Sequence, residues 1–316
     1  MSIETLHTPH STLKSNMAPA SSVDISVVIP SYRHPDKIAT CIQSLLRQKT
    51  SASYEIIVVD SSPADMQSQV AKVCAVDDRI TFIPLAKQTF PGTARNEGIK
   101  RSTAEIIALI DADCEALPGW LETIRKYTTD GVILNGVLEN GTPDSAVGTS
   151  AFMLEFSHFL PIRQETAIIT GAGAGNFACK REVFTQRGYF TDDRAFEDIL
   201  LLRRFIDSGG NILKVNDLRI IHHNKTDLKA NGNNLRMLGQ FSASVRHREG
   251  MPPKAVFKFP PLAFALGIFR YLSVASRVLR TEYAGRFLLY TPILLYLIAE
   301  WSMGFYEGAK ATRKVS

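Results

Sequence analysis

Short apolar runs alternate with amphipathic stretches through the first third of the chain. The runs are rich in Val and Ile and predict strands over residues 25–29, 55–59, 80–83 and 105–110. Because their apolar residues are nearly continuous, each strand is expected to be buried on both faces. The stretches between the runs predict helices over residues 35–48, 64–76 and 93–103.

This alternation predicts an α/β fold with a mostly parallel central sheet and helices on both faces. Ligands of such folds bind at the carboxyl ends of the strands. Residues 30–33, Asp60 and residues 111–113 each follow directly on a predicted strand. We therefore expect these three segments to gather at one edge of the sheet.

The sequence character changes along the chain and predicts four segments. Residues 1–23 are rich in Ser, Thr, Pro and Ala and predict a disordered tail. Residues 24–115 carry the regular alternation. Residues 116–250 are less regular and include a helix predicted to begin at Glu197-Asp198. Residues 251–316 contain two strongly apolar stretches, which predict a helical C-terminal region.

The overall composition is that of a globular protein. Of 316 residues, 45% are hydrophobic and 21% charged, which excludes whole-chain disorder and a coiled coil. A mean hydropathy of −0.01 excludes a polytopic membrane protein. The four cysteines are far apart and form no CxxC pair, so the pattern favours reduced thiols in a cytosol-facing protein. The N-terminus has no secretory signal pattern.

The strongest chemical signal is Asp111-Ala112-Asp113, directly after a predicted strand. Two carboxylates at this spacing offer hard oxygen ligands, which suit Mg²⁺ or Mn²⁺ holding a diphosphate. The alternative is a solvated acidic turn.

A second acidic pair, Glu197-Asp198, opens a predicted helix. The helix dipole favours carboxylates at this position and would keep a general base ionised at neutral pH. The alternative is that the pair only complements the helix terminus.

Two further positions are candidate binding residues. Asp60 can accept a hydrogen bond from the imide N–H of a pyrimidine, or can simply form a turn. His222-His223 follows a predicted strand, and one imidazole could complete a metal site, although such histidines also serve as surface or core residues.

The order of these motifs resembles that of the family 2 glycosyltransferases of the GT-A fold. The resemblance covers residues 24–225, and its most specific parts are Ala94-Arg95-Asn96-Glu97-Gly98 with Asp111-Ala112-Asp113-Cys114, and Asn176 with Glu197-Asp198. It implies an inverting transfer of a sugar from a nucleotide-diphosphate sugar, with one divalent metal ion, Mn²⁺ or Mg²⁺. Residues 24–115 would then bind the nucleotide sugar, and residues 116–250 would bind the acceptor and carry catalysis.

The resemblance also implies roles for individual residues. It places Asp198 as catalytic base with Glu197 beside it. The nucleotide would be bound by Pro30, Tyr32, Arg33, Asp60, Arg95 and Asp111. The metal would be held by Asp113, Asp111 and His222, and a sugar would lie against Gly175 and Asn176. The chain departs from many relatives at Leu201, where they carry a further acidic residue.

The C-terminal region concentrates positive charge. Residues 251–316 hold nine Lys and Arg against three Glu, a net +6, while the whole chain has +5. Basic residues interleaved with apolar runs favour helices in the cytosolic membrane surface, near a glycan or lipid-linked acceptor, and argue against nucleic acid. The alternative is a helical subdomain packed on the core or on a second copy, which would make an oligomer.

Two other functions compete with sugar transfer. A nucleotidyltransferase would carry a Gly-rich phosphate loop after the first strand, where residues 30–35 read Pro-Ser-Tyr-Arg-His-Pro. A non-catalytic, membrane-tethered binder of sugar nucleotides, or a partner subunit, would usually have lost one acidic pair, and this chain keeps both. Asp60 favours UDP over GDP as the donor nucleotide.

Overall fold

The structure is a computed structural model that describes residues 23–161 and 164–315. Residues 1–22 of the predicted disordered tail lie outside the described residues. Within the described part, one mixed sheet of nine strands has helices on both faces. The strands are β1 (Ile25–Ser31), β2 (Tyr54–Asp60), β3 (Ile80–Pro84), β4 (Ile106–Ile110), β5 (Cys114–Ala116), β6 (Val132–Asn140), β7 (Thr166–Ile169), β8 (Asn176–Lys180) and β9 (Asn211–His222).

The helices fall into those that flank the sheet and those of the C-terminal part. The first group is α1 (Pro35–Leu46), α2 (Ala64–Cys74), α3 (Pro91–Arg101), α4 (Trp120–Tyr127), α5 (Ala146–Phe156), α6 (Glu182–Arg187) and α7 (Glu197–Asp207). The second group is α8 (Leu228–Arg248), α9 (Ala255–Lys258), α10 (Leu262–Val278), α11 (Ala284–Leu289) and α12 (Thr291–Val315).

The sheet order is β3-β2-β1-β4-β8-β6-β9-β5, with β7 also paired to β9. Strands β1 to β4 pair in parallel, as predicted, because each is followed by a helix that returns the chain to the same edge. The second half of the sheet is mixed: β9 runs parallel to β6, and the other pairs are antiparallel. There β8 runs antiparallel to both β4 and β6, and β9 runs antiparallel to β5 and β7.

Burial on both faces explains the continuous apolar runs. In β1, Val27 and Ile29 face a layer that includes Ile38 of α1, whereas Val28 faces the opposite layer with Ile99 of α3. Successive side chains of a strand point to opposite faces, so a run of apolar residues fits only a strand covered twice.

The C-terminal helices form one unit with α5 and α8. Helix α12 packs along α8, and Leu235, Val274 and Leu297 meet in a shared apolar core with Met153 of α5. Helices α5 and α8, which precede residue 251, thus share a core with the helices of the predicted C-terminal region. Throughout the described ranges, no helix has the length and apolar character that a membrane span needs.

Candidate functional site

A single cleft of about 940 Å³ opens at the carboxyl ends of β1 and β4 and runs to the C-terminal helices. The segments that follow the strands line one end of it, the start of α7 lines the middle, and α8, α10 and α12 line the far end. Both acidic pairs border this cleft.

Arg95 joins the two acidic pairs. It lies on α3 with its side chain 5% exposed; one guanidinium nitrogen is 2.6 Å from Asp111 Oδ1, and the other is 3.2 Å from Glu197 Oε1. Its Nε atom has no hydrogen-bond partner among the described residues. A buried guanidinium that bridges two carboxylates fixes their separation, because loss of either partner leaves an uncompensated charge.

The second acidic pair stands at the first two positions of α7. Phe196 precedes it with φ +72°, a left-handed conformation, and Asp198 Oδ1 accepts a hydrogen bond from the N–H of Ile199 at 2.7 Å. Burial, with the charge of Asp198 beside it, raises the pKa of Glu197 to about 7 despite Arg95. Burial also raises the pKa of Asp198. Desolvation therefore opposes the stabilisation that the helix dipole gives to the charged form of Asp198.

The loop of small residues before β8 passes between the acidic pairs. A Cβ atom on Gly175 would lie 2.8 Å from Asp111 Oδ2. A Cβ atom on Gly173 would lie 3.3 Å from Asp198 Oδ2 and 2.7 Å from the ring of Phe159. The glycines let the backbone approach both carboxylates, which explains the small residues that the sequence shows at this point.

Asn176 does not contact the cleft. It is fully buried; its Oδ1 accepts a hydrogen bond from Trp120 Nε1, and its Nδ2 donates to the carbonyls of Val137 and Leu218. Its amide thus ties strands of the sheet together. The expectation that Asn176 contacts a sugar is wrong, whereas its neighbour Gly175 does line the cleft.

The end of the cleft nearest β1 contains most of the residues that the sequence predicts for the nucleotide. Pro30, Tyr32 and Arg33 line it, and the Tyr32 hydroxyl donates to Gln88 Oε1 at 3.0 Å. Asp60 does not line it. The carboxylate of Asp60 is buried and accepts two hydrogen bonds from Ser62, from the N–H at 2.9 Å and the hydroxyl at 3.0 Å. The turn-forming alternative for Asp60 therefore describes the structure, and the expected base contact does not.

Asp113 and His222 approach each other beside Asp111. His222 Nε2 lies 3.6 Å from Asp113 Oδ1. Its Nδ1 is 2.9 Å from Asn224 Oδ1, and the Asn224 amide nitrogen donates to Asn140 and Thr142. This network assigns the Nδ1 proton to the Asn224 bond and leaves the Nε2 lone pair facing Asp113, the arrangement that metal-binding histidines use.

The donor set fits a hard or borderline divalent cation. The carboxylate of Asp113 suits Mn²⁺ or Mg²⁺, and the softer imidazole of His222 favours Mn²⁺ of the two. Cys114 is also within reach, but burial raises the pKa of its thiol well above the usual value, so it stays protonated. Asp111, expected as a further ligand, pairs with Arg95 instead. His223 hydrogen-bonds to Glu115, which leaves His222 as the histidine nearer the site.

Several residues that line the cleft belong to none of the sequence motifs. Lys37 on α1 lies 3.5 Å from Asp113 Oδ2. Others come from distant elements and include Glu155, Arg194, Arg270 and Trp301. No spacing pattern marks them, since their proximity arises only from the packing of α5, α10 and α12 on the sheet.

Fold and cleft together define an α/β protein with two acidic pairs on one cleft at the carboxyl edge of its sheet. The model of the family "Glycosyl transferase family 2" matches residues 26–188, just over half of the chain. The chain belongs to this family, which confirms the expected GT-A fold and the transferase class.

The curated relatives of the chain agree with this family assignment. The chain is 27% identical to glycosyltransferase AglE of Haloferax volcanii, over 60% of this chain and 59% of that protein. It is 35% identical to the succinoglycan biosynthesis protein ExoO of Rhizobium meliloti, over 63% of this chain and 60% of that protein. The chain thus spans about three fifths of the length of each of these two relatives.

Two solved structures share the fold. One is S. aureus TarS 1-349 in complex with UDP-GlcNAc, at a TM-score of 0.53 and 16% identity, covering 93% of each chain. The other is GalNAc-T7 with UDP, GalNAc and Mn²⁺, at a TM-score of 0.51 and 15% identity, covering 64% of this chain and 43% of that one.

Proposed function

We propose that the protein transfers a sugar from a nucleotide-diphosphate sugar, UDP-linked in preference to GDP-linked, to a hydroxyl of a glycan or lipid-linked acceptor, with inversion at the anomeric carbon. The observation that carries this proposal is the bridge from Asp111 through Arg95 to Glu197, which holds both acidic pairs on one cleft. The relatives and neighbours that bind UDP, UDP-GlcNAc and Mn²⁺ or that serve polysaccharide biosynthesis support it.

Two groups of residues have separate roles in this reaction. Asp113 and His222 would hold Mn²⁺ or Mg²⁺, which when bound neutralises the charge of a leaving diphosphate. Asp198 accepts the proton of the acceptor hydroxyl as its oxygen forms a bond to the anomeric carbon. The bond from that carbon to the diphosphate breaks, and the nucleoside diphosphate leaves. One direct displacement inverts the configuration.

Thermal-shift screening tests the donor. A panel of UDP- and GDP-sugars is added with and without Mn²⁺, and we expect UDP-sugars to raise the melting temperature only when Mn²⁺ is present. Release of nucleoside diphosphate is then measured with the donors that bind. Binding without turnover would favour the non-catalytic binder, and a panel without any shift would contradict the proposal.

The C-terminal helices support a location at the cytosolic face of the cell membrane. Eleven of the fifteen exposed large apolar side chains of the described residues lie between residues 259 and 296. On α10, Leu262, Ile268, Phe269 and Leu272 follow helical spacing and share one exposed face. Exposed basic residues flank it, namely Lys258, Arg280 and Arg286. An apolar face with a basic margin fits an anionic lipid surface.

Vesicle co-sedimentation tests this location. We expect binding to vesicles of phosphatidylglycerol and phosphatidylcholine and little binding to phosphatidylcholine alone. The double variant Ile268→Ser, Phe269→Ser should bind at least about ten-fold more weakly, because each buried apolar side chain contributes about 1.5–3 kcal/mol. Ile168→Ser, at an equally exposed position on β7, is the control. A stable dimer in solution that covers α10, with no lipid binding, would assign this face to a second copy instead.

A further inference from the structure

The far end of the cleft is built by the C-terminal helical unit. Arg270 of α10 and Trp301 of α12 line it, together with Asn234 of α8 and Glu155 of α5. The cleft that holds the second acidic pair therefore continues into a wall of which all but Glu155 lies beyond the family match over residues 26–188. Whatever lies against this wall is on the acceptor side of Asp198, opposite the nucleotide end.

Arg270 is a half-buried cation that forms no ion pair with a carboxylate among the described residues. Its guanidinium carbon lies 4.8 Å from the centre of the Trp301 ring. Among the described residues it makes no hydrogen bond and no ion pair within 4.0 Å. Burial lowers the pKa of Arg270 to about 10, so it remains charged at neutral pH. Partial removal of this charge from water without an ion pair is costly, and the cation–π contact offsets only part of that cost.

Two more cations line the same wall. Arg194, between β8 and α7, contacts only the Asn234 amide oxygen, at 3.5 Å. Lys225, which follows β9, is exposed at the edge of the cleft. In the described part of the chain, neither forms an ion pair with a carboxylate. The carboxylate of Glu155 interacts electrostatically with all three cations, and burial raises its pKa, which weakens its ability to neutralise them.

We propose that Arg270, Arg194 and Lys225 form a subsite for an anionic group of the acceptor. The inference rests on the proposed sugar transfer and names the acceptor's chemistry. A guanidinium fork binds phosphate or carboxylate oxygens in pairs, so the group is a phosphate or a carboxylate. A prenyl diphosphate fits best, because the helix that carries Arg270 also carries the exposed apolar face. An acidic sugar is the other source of the same chemistry.

Calorimetry of the full chain saturated with UDP and Mn²⁺ tests the subsite, since UDP then fills the nucleotide end. The titrants are farnesyl diphosphate and glucuronate, with farnesol and glucose as their neutral matches. We expect farnesyl diphosphate to bind at least about ten-fold more tightly than farnesol. Arg270→Gln should weaken this binding roughly ten- to hundred-fold, as the loss of a charge-assisted hydrogen bond does, and should leave UDP affinity unchanged.

Arg313→Gln is the matched control, because Arg313 is an exposed arginine of the same helical unit that does not line the cleft. Arg194→Gln and Lys225→Gln test the subsite if Arg270→Gln does not fold. Binding of glucuronate but not farnesyl diphosphate would keep the subsite and assign it to an acidic sugar. Equal binding of charged and neutral titrants, with UDP bound normally, would overturn it. Failure of both UDP and GDP to bind would instead refute the proposed function.

Discussion

Replacement of Asp198 by Asn removes the proposed base and leaves its surroundings intact. The asparagine has the same shape, and its Oδ1 can still accept the hydrogen bond that Ile199 N–H donates at 2.7 Å. The buried site already disfavours the charged carboxylate, as the raised pKa of Asp198 shows. We therefore expect no loss of folding stability and no loss of donor binding.

The catalytic loss follows from the role of the lost group. General-base assistance contributes about 10²–10⁴-fold to a rate, which corresponds to roughly 2.7–5.5 kcal/mol of activation free energy. Asp198→Asn should lower kcat by that factor and leave the affinity for UDP within about two-fold of the original.

The assay measures nucleoside diphosphate release with saturating donor and acceptor, alongside calorimetric UDP binding. Asp207→Asn makes the same change at the exposed last residue of α7 and should leave both quantities unchanged. If Asp198→Asn keeps a third or more of the original kcat, Asp198 is not the base. Loss of UDP binding in parallel with kcat would point to a structural role.

Four further outcomes follow from the site. Because the pKa of Glu197 is raised to about 7, kcat/KM should fall as the pH drops below about 7, and Glu197→Gln should move that acid limb to lower pH in a pH–rate profile. Arg95→Gln leaves the buried carboxylate of Glu197 without its cation and should destabilise the fold by about 3 kcal/mol in urea unfolding; an unchanged midpoint would refute the bridge. Gly175→Ala should weaken UDP binding, since the added Cβ atom would displace the Asp111 carboxylate. An unchanged UDP affinity in this variant would show that the loop can move to accommodate the methyl group. Chelation should abolish turnover and added Mn²⁺ restore it, and His222→Ala should raise the Mn²⁺ concentration needed for half-maximal rate; metal-independent turnover would exclude the Asp113–His222 site.

The first half of the fold was predictable because local pattern and tertiary environment agree there. Strands β1 to β4 are apolar on both faces, and each ends in residues that cannot continue a buried strand. The placement of Asp111 and Asp113 followed from that pattern alone. Helix α8 was not predicted, because its 21 residues mix polar and apolar positions and it becomes stable only against α12.

The chemistry of single residues depended on partners that local sequence does not reveal. Asp60 and Asn176 have side chains suited to ligands, yet inside the protein their oxygens accept hydrogen bonds from Ser62 and Trp120. Asp198 stands where a helix dipole favours a charge, but the depth of the cleft decides its pKa. Arg270 lies in an apolar stretch with no motif, and only the packing of α10 on α12 brings it to the cleft.

Diffraction from crystals grown with a UDP-sugar and Mn²⁺ tests the central claim most directly, with anomalous scattering to locate the metal. The account predicts a manganese peak between Asp113 and His222, the diphosphate against it, and the sugar's anomeric carbon on the side of the cleft that Asp198 faces. A nucleotide bound outside this cleft, or a sugar turned away from Asp198 with the metal held elsewhere, would contradict it.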